Sequence, residues 1–219
     1  MDSDERYIPR FGPMFSGSSP AKSEMATDLA IPLLAEGGWP ALTLRTVARA
    51  ANVTPQAIAA WFPSVRAMRV AIAERYGNRW IRERAYQAGR RLLRVPCPDD
   101  LSAARAQVVH ALLPETWLEE VFDGVWLTVV EAGRWDEAVG SVVADVQTRE
   151  QEVVADLLED RLRDQLVDAG GHDGLKFHHH VDIVLALTRG MRVARTSPHS
   201  PMSADQAAAA IDSVLSDAR

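Results

Sequence analysis

A chain of 219 residues, 47% hydrophobic and 25% charged, has the composition of a globular protein and the length for one large domain or a small one fused to a larger. Cys97 is its only cysteine, which excludes an internal disulfide and suits a reducing cytoplasm; no apolar run reaches the roughly 18–20 residues of a membrane span, and MDSDERYIPR opens the chain without an apolar signal core. The net charge of −6 divides unevenly: fourteen Lys/Arg against eight Asp/Glu over residues 1–95, ten against twenty-two over 96–219. A basic head on an acidic body fits polyanion binding by the head, although differently charged solvated helix faces would give the same balance.

Residues 1–21, with Pro9, Pro13 and Pro20, read as an irregular arm. Arg6, Arg10 and Lys22 have the reach of a basic DNA-binding arm, but Asp2, Asp4 and Glu5 offset them and favour a plain tail. A first helix is expected over Lys22–Glu36, ended by Gly37-Gly38, with Met25, Leu29 and Leu33 on one face. Pro32 should kink or break it near Asp28–Ile31.

The stretch Leu42–Phe62, LTLRTVARAANVTPQAIAAWF, carries the clearest local signals. Thr43 can cap one short helix. Thr54-Pro55 can start a second, with a hydroxyl for the N-cap and a proline for the first helical position. The turn between them needs a left-handed backbone, which Asn52 tolerates. Two short helices joined this way form a helix-turn-helix, whose second helix enters a DNA major groove.

Pro63-Ser64 then starts a long arginine-rich helix reaching Leu93, with Met68, Ala71, Ile72 and Tyr76 at helical spacing and Trp80, Ile81 and Leu92 continuing the face. Gly77 and Gly89 weaken it without ending it. Val95-Pro96-Cys97-Pro98 marks a boundary. Further helices are expected near Asp99–Leu113, Pro114–Gly133 and Asp136–Ala169. A stripe of Val139, Val142, Val143, Val146, Val153, Val154, Leu157 and Leu158 faces inward on the last of these. After the loop at 170–174, Leu175–Thr196 places Ile183, Leu187, Gly190, Met191 and Ala194 on one stripe. Ser203 and Asp205 open a final alanine-rich helix with Ile211, Val214 and Leu215. The fold class is therefore all-α, with about nine helices and no convincing strand.

The run Gly37, Thr43, Val47, Ala48, Ala51, Val53, Thr54, Ile58, Phe62 and Ser64 resembles the head of the TetR family of bacterial one-component repressors, over roughly residues 25–75. The resemblance implies a three-helix DNA-binding head over 22–75 and a helical ligand-binding and dimerisation body over 76–219. It further implies a homodimer through the last two helices (175–196 and 203–218). Such a dimer binds a palindromic double-stranded DNA operator and leaves it on meeting a small-molecule inducer. Departures occur at Asn52, where glycine is usual, and at Ala59, Trp61 and Val65, where the family has tyrosine, histidine and lysine. Ala59 and Val65 remove two phosphate-contacting groups.

For base reading the expected residues are Thr54 and Gln56, with Arg45 and Thr46 from the preceding helix and Ala57 small enough for a thymine methyl. Trp61 is expected to donate its indole N–H to a phosphate or to pack its ring under the helix, and Arg66, with Arg69 close by, is expected at phosphates. Each polar position could equally be plain solvated surface. For the ligand, Trp80, Tyr86, Trp117, Phe122 and Trp126 are candidates, with His110 and Cys97 as polar lining and Trp135 nearby. They point to an apolar or aromatic molecule, though aromatics at helical spacing are more often core. No cofactor motif appears. His178–His180 has neither H-x-x-x-H nor H-E-x-x-H spacing, so solvated or interfacial histidines are expected rather than a metal site. Two other readings remain: a sensor or interaction protein with weakened or lost operator binding, and a metal-dependent hydrolase using His172, Asp173 and His178. The second lacks a nucleophile elbow, phosphate loop or metal motif, so an enzyme is not expected.

Overall fold

The structure is a computed structural model and describes residues 22–98, 100–168, 174–196 and 202–216. Their order is α1 (Lys22–Gly37), a 3₁₀ turn (Trp39–Ala41), α2 (Leu44–Ala50), α3 (Pro55–Trp61), α4 (Val65–Leu92), α5 (Leu101–Leu112), α6 (Trp117–Gly133), α7 (Glu137–Asp168), α8 (Gly174–Arg195) and α9 (Ala204–Ser216). There is no strand among the described residues, and the fold is all-α, as expected. The expected arm at 1–21 and the loop residues His172 and Asp173 lie outside the described residues. The chain divides into two compact units between Arg75 and Tyr76.

In the first unit, α1 runs unbroken through Pro32, without the break that the proline could have caused. Its buried face is Ala26, Thr27, Ala30, Ile31 and Leu34, while of the expected Met25, Leu29 and Leu33 face the first two are exposed and Leu33 is half-buried. The missing hydrogen bond at an internal proline costs about 3 kcal/mol, whereas each large apolar side chain taken out of water returns about 1.5–3 kcal/mol. Ile31 and Leu34 flank Pro32 and are both buried, so packing outweighs the defect. Gly38 ends the helix at φ 64°, a left-handed conformation that glycine adopts without strain. Arg75 grips Asp28 with two hydrogen bonds of 2.9 Å, and this pairing raises the Arg75 pKa above its ordinary value.

The second unit is built on α7, whose Val139, Val142, Val143, Val146, Val154 and Leu158 are buried as the periodicity predicts, while Val153 and Leu157 of the same stripe are half-buried. An apolar cluster joins Ala88 and Leu92 of α4, Val108, Val109 and Leu112 of α5, Val154 and Leu158, Val181, Val184 and Leu185 of α8, and Ala207 and Ile211 of α9. On α8 the buried stripe is Val181, Val184, Leu185, Thr188 and Arg192. The stripe expected there sits further round the helix, with Ile183, Leu187 and Met191 half-buried and Gly190 exposed. Ser203 opens α9 with a reciprocal cap, its Oγ accepting from Gln206 N and Gln206 Oε1 accepting from Ser203 N.

Candidate nucleic-acid interface and buried ionic network

The two short helices of the first unit form because their ends are chemically specified. Thr43 Oγ1 accepts from Thr46 N at 3.1 Å and Thr46 Oγ1 accepts from Thr43 N at 3.0 Å, a capping box made of two threonines. Thr54 Oγ1 accepts from Ala57 N at 3.2 Å, and Pro55 follows as the first helical residue. Between them Asn52 sits at φ 53°, and Val53 N donates back to Ala48 O at 2.9 Å. Asn52→Val is expected to destabilise the first unit by about 1–2 kcal/mol, because a β-branched residue resists this backbone. Chemical denaturation would reveal it, and an unchanged midpoint would show that the turn relaxes.

Ile58 and Phe62 are buried and fix α3 by its inner face. Pro55, Gln56, Ala59 and Ala60 are exposed, so Gln56 is the polar side chain among small neighbours on the outer face. Arg45 and Arg49, one turn apart on α2, are both exposed. Arg49 is missing from the residues expected at DNA, and its i, i+4 spacing from Arg45 is the signal in the sequence that points to it. Arg66 is exposed at the start of α4, and Trp61 and Ala57 are half-buried.

Thr46 leaves the base-reading set. Its hydroxyl donates to Ala41 O at 2.5 Å while accepting from Thr43 N, so its donor is committed to holding α2. Arg69 is likewise structural: Nε donates to Leu42 O at 3.2 Å and NH2 to Trp39 O at 3.4 Å, tying α4 to the turn before α2.

In the second unit, three candidate aromatics come together and two do not. Trp80 stacks on Trp126 with ring centroids 4.9 Å apart, and Tyr76 stacks near Phe122 while its hydroxyl donates to Phe122 O at 2.7 Å. Gly77 permits this, since a Cβ there would lie 3.0 Å from the Trp126 ring and closer still to Val146. Tyr86 and Trp117, expected in the ligand set, are 59% and 54% exposed, and Trp135 is exposed as well. Periodicity alone does not separate the two sides of so long a helix as α4. Cys97 is also exposed, while His110 is half-buried on α5.

The aromatics surround a network of buried charges that aromatic spacing gave no sign of. Asp123 Oδ1 accepts from Trp80 Nε1 at 2.9 Å and pairs with Arg84 NH2. Arg192 places Nε 3.7 Å from Asp123 Oδ2 and NH1 2.5 Å from Glu150 Oε1, with its guanidinium 4.9 Å from the Trp80 ring centroid. Arg189 adds two further contacts to Glu150, at 2.9 and 2.8 Å. Burial, joined by the like charge of Arg192, lowers the Arg84 pKa although Asp123 and Glu119 oppose it. For Glu150 burial pushes upward, but Arg192 and Arg189 together prevail and hold the carboxyl below its ordinary range.

Arginines also complete the C-terminal end of α5. The last carbonyls of a helix lack intrahelical donors and favour nearby cations. Arg84 donates to Leu112 O, Arg91 to Ala111 O and Leu113 O, and Arg195 to Pro114 O. Arg91 also holds Glu119 by two bonds of 2.6 and 2.7 Å.

Among the described residues no cluster of histidine, cysteine and acidic side chains could hold a metal ion, and no helix is long and apolar enough to cross a membrane. His178 and His179 are exposed and His180 is half-buried.

No protein-family profile and no curated protein sequence matches the chain. Solved structures do match. A transcriptional regulator from Saccharomonospora viridis in complex with choline superposes with a TM-score of 0.65 at 15% identity, over 90% of this chain and 96% of that one. A protein described as a TetR-family transcriptional regulator from Rhodococcus sp. gives 0.63 at 13% identity, over 90% and 97%. PfmR, a TetR family transcriptional regulator from Thermus thermophilus, gives 0.53 at 18% identity, over 87% and 96%. At such identities the likeness speaks for architecture, and the chain has the fold of the TetR-family transcriptional regulators.

Proposed function

We propose that this chain is a ligand-responsive DNA-binding transcriptional regulator, a repressor released from a palindromic operator by a small apolar or aromatic molecule. The observation that carries the reading is the first unit's helix-turn-helix. It has Asn52 in the left-handed turn, Gln56 on the outer face of α3, and Arg45 and Arg49 exposed on α2. An amide can pair with an adenine edge, and arginines on the flanking helix grip phosphates. Thr54, Ala57, Trp61 and Arg66 complete the proposed contact set. A homodimer through α8 and α9 would present two such heads to half-sites about 34–36 Å apart. The half-buried Ile183, Leu187 and Met191, beside exposed Gly190 and Val193, suit the α8 part of that interface.

The test is binding of the purified chain to DNA from upstream of its own gene. Two chains are expected per palindromic site. Affinity should fall on the order of 10³-fold between about 50 and 200 mM salt if six or more phosphates are gripped. Ala59 favours a second reading, because it is exposed on the outer face of α3 where a phosphate-gripping side chain is absent. A sensor that has lost its operator would bind the upstream fragment no better than random DNA at either salt concentration.

A further inference from the structure

Two neighbouring helices of the second unit turn opposite charges toward solvent. On α4 the stripe is Asn78, Arg82, Tyr86 and Arg90, four residues apart and all exposed, with Leu93 on the same face at 87% exposure. The Arg90 guanidinium lies 5.5 Å from the Tyr86 ring centroid. On α7 the stripe is Asp145, Glu152 and Asp156, again exposed, with half-buried Arg149 between them.

The two stripes border one another. Arg149 NH1 donates to Asn78 Oδ1 across 71 positions, and Arg161 NH2 donates to Leu92 O across 69. A Cβ on Gly77 would press on Val146, one turn before Arg149. The offset is nearly constant over the shared length, so α4 and α7 run side by side, parallel and in step. Arg82 therefore stands level with Glu152, and Tyr86, about 6 Å further along, stands level with Asp156. Yet among the described residues Arg82, Arg90, Glu152 and Asp156 form no ion pair, and Arg82 Nε donates only to Asn78 O, at 3.1 Å.

A basic ridge beside an acidic one is complementary to itself. A two-fold axis parallel to the helices lays α4 of one copy over α7 of the other, and α7 over α4, with every level preserved. Arg82 then meets a second copy at its Glu152. An axis running across the helices would instead set arginine on arginine and carboxylate on carboxylate, which repel. We propose that the α4–α7 face is a self-association surface covered by the same face of a second copy, with Arg82 and Arg90 on that copy's Glu152 and Asp156. One exposed ion pair contributes little, so the charges set the register while Tyr86 and Leu93 supply the area to be covered. The face is distinct from α8 and α9, and the assignment does not rest on operator binding.

The experiment is light scattering of the purified full chain at about 100 μM, in about 50 mM and about 1 M salt, the latter cutting the reach of charges to about 3 Å. The mass at low salt is expected to be twice the mass at high salt. Arg82→Glu with Arg90→Glu makes the face acidic, and Glu152→Arg with Asp156→Arg makes it basic. Each double variant should keep the high-salt mass at both salt concentrations. An equimolar mixture of the two should regain the doubled mass at low salt, because each now complements the other. All four substitutions are at exposed side chains, so both variants should unfold at the parent's midpoint. One mass at both salt concentrations for the parent would overturn the assignment, whether or not the variants fold. So would doubling that persists in either folded variant, or a mixture that stays at the high-salt mass. Loss of random-duplex binding by the first variant, with self-association intact, would give the α4 stripe to DNA and overturn it as well.

Discussion

Arg192→Met is expected to destabilise the second unit by about 3–5 kcal/mol, the loss found when one partner of a buried ion pair is removed. Methionine replaces much of the volume, so the effect is electrostatic rather than a cavity. Asp123 keeps Arg84 and the Trp80 indole, whereas Glu150, 3% exposed, keeps only the half-exposed Arg189 of the partners described above. The pH dependence follows from the sign of the Glu150 shift. Its folded pKa lies below the ordinary 4.5, so its contribution is present above about that pH and is lost as pH falls through the folded value. Without Arg192, burial gains ground, the folded pKa rises, and acid unfolding should begin at higher pH. Urea titrations at pH 7 and an acid titration by circular dichroism check both points. Arg192→Met combined with Glu150→Met should recover at least half the loss, because apolar pairs replace buried ion pairs at little cost. A single variant as stable as the parent would show that water already screens the network.

Gln56→Ala is expected to weaken specific DNA binding by about 1–3 kcal/mol per half-site, the discrimination carried by one bidentate amide–base pair, with twice that on a palindrome. Binding to random DNA should change little, since that affinity comes from phosphates. Competition titrations of both DNAs against parent and variant measure the two quantities at one salt concentration. Equal losses on both would remove Gln56 from base reading and return it to plain solvated surface. Arg49→Ala supplies the contrast: it should weaken both DNAs together and make the salt slope shallower.

The first unit is legible because its instructions are local. Thr43, Asn52, Thr54 and Pro55 each act on backbone within a few residues, so a linear reading captures them. Even so, Thr46 reads in the sequence as a base contact, because nothing in its spacing shows that its hydroxyl turns back to Ala41. Pro32 misleads for the converse reason, since its cost is local but the burial that offsets it belongs to the tertiary structure. In the second unit the helices and the inner face of α7 are legible from period alone. The ionic network is not, because Trp80 meets Asp123 across 43 positions and Glu150 meets Arg192 across 42. Aromatic residues stand out in the sequence, while the acid between them looks like any other solvated carboxylate. The arginines of α4 read as a charged connection, yet Arg84 and Arg91 are structural caps for the end of α5.

The outer face of α3 offers one amide among methyl groups: Gln56 beside Ala59 and Ala60. Under the proposed function such a surface carries little information per half-site. A genome offers about 10⁶–10⁹ competing positions, and each mismatched base pair costs only about 1–3 kcal/mol. One amide, helped only by the small Thr54 and Ala57, leaves most positions of the site unread, so symmetry and the deformability of the DNA must supply the remaining discrimination. The regulator would then occupy a scatter of loosely related sequences graded by affinity rather than one address.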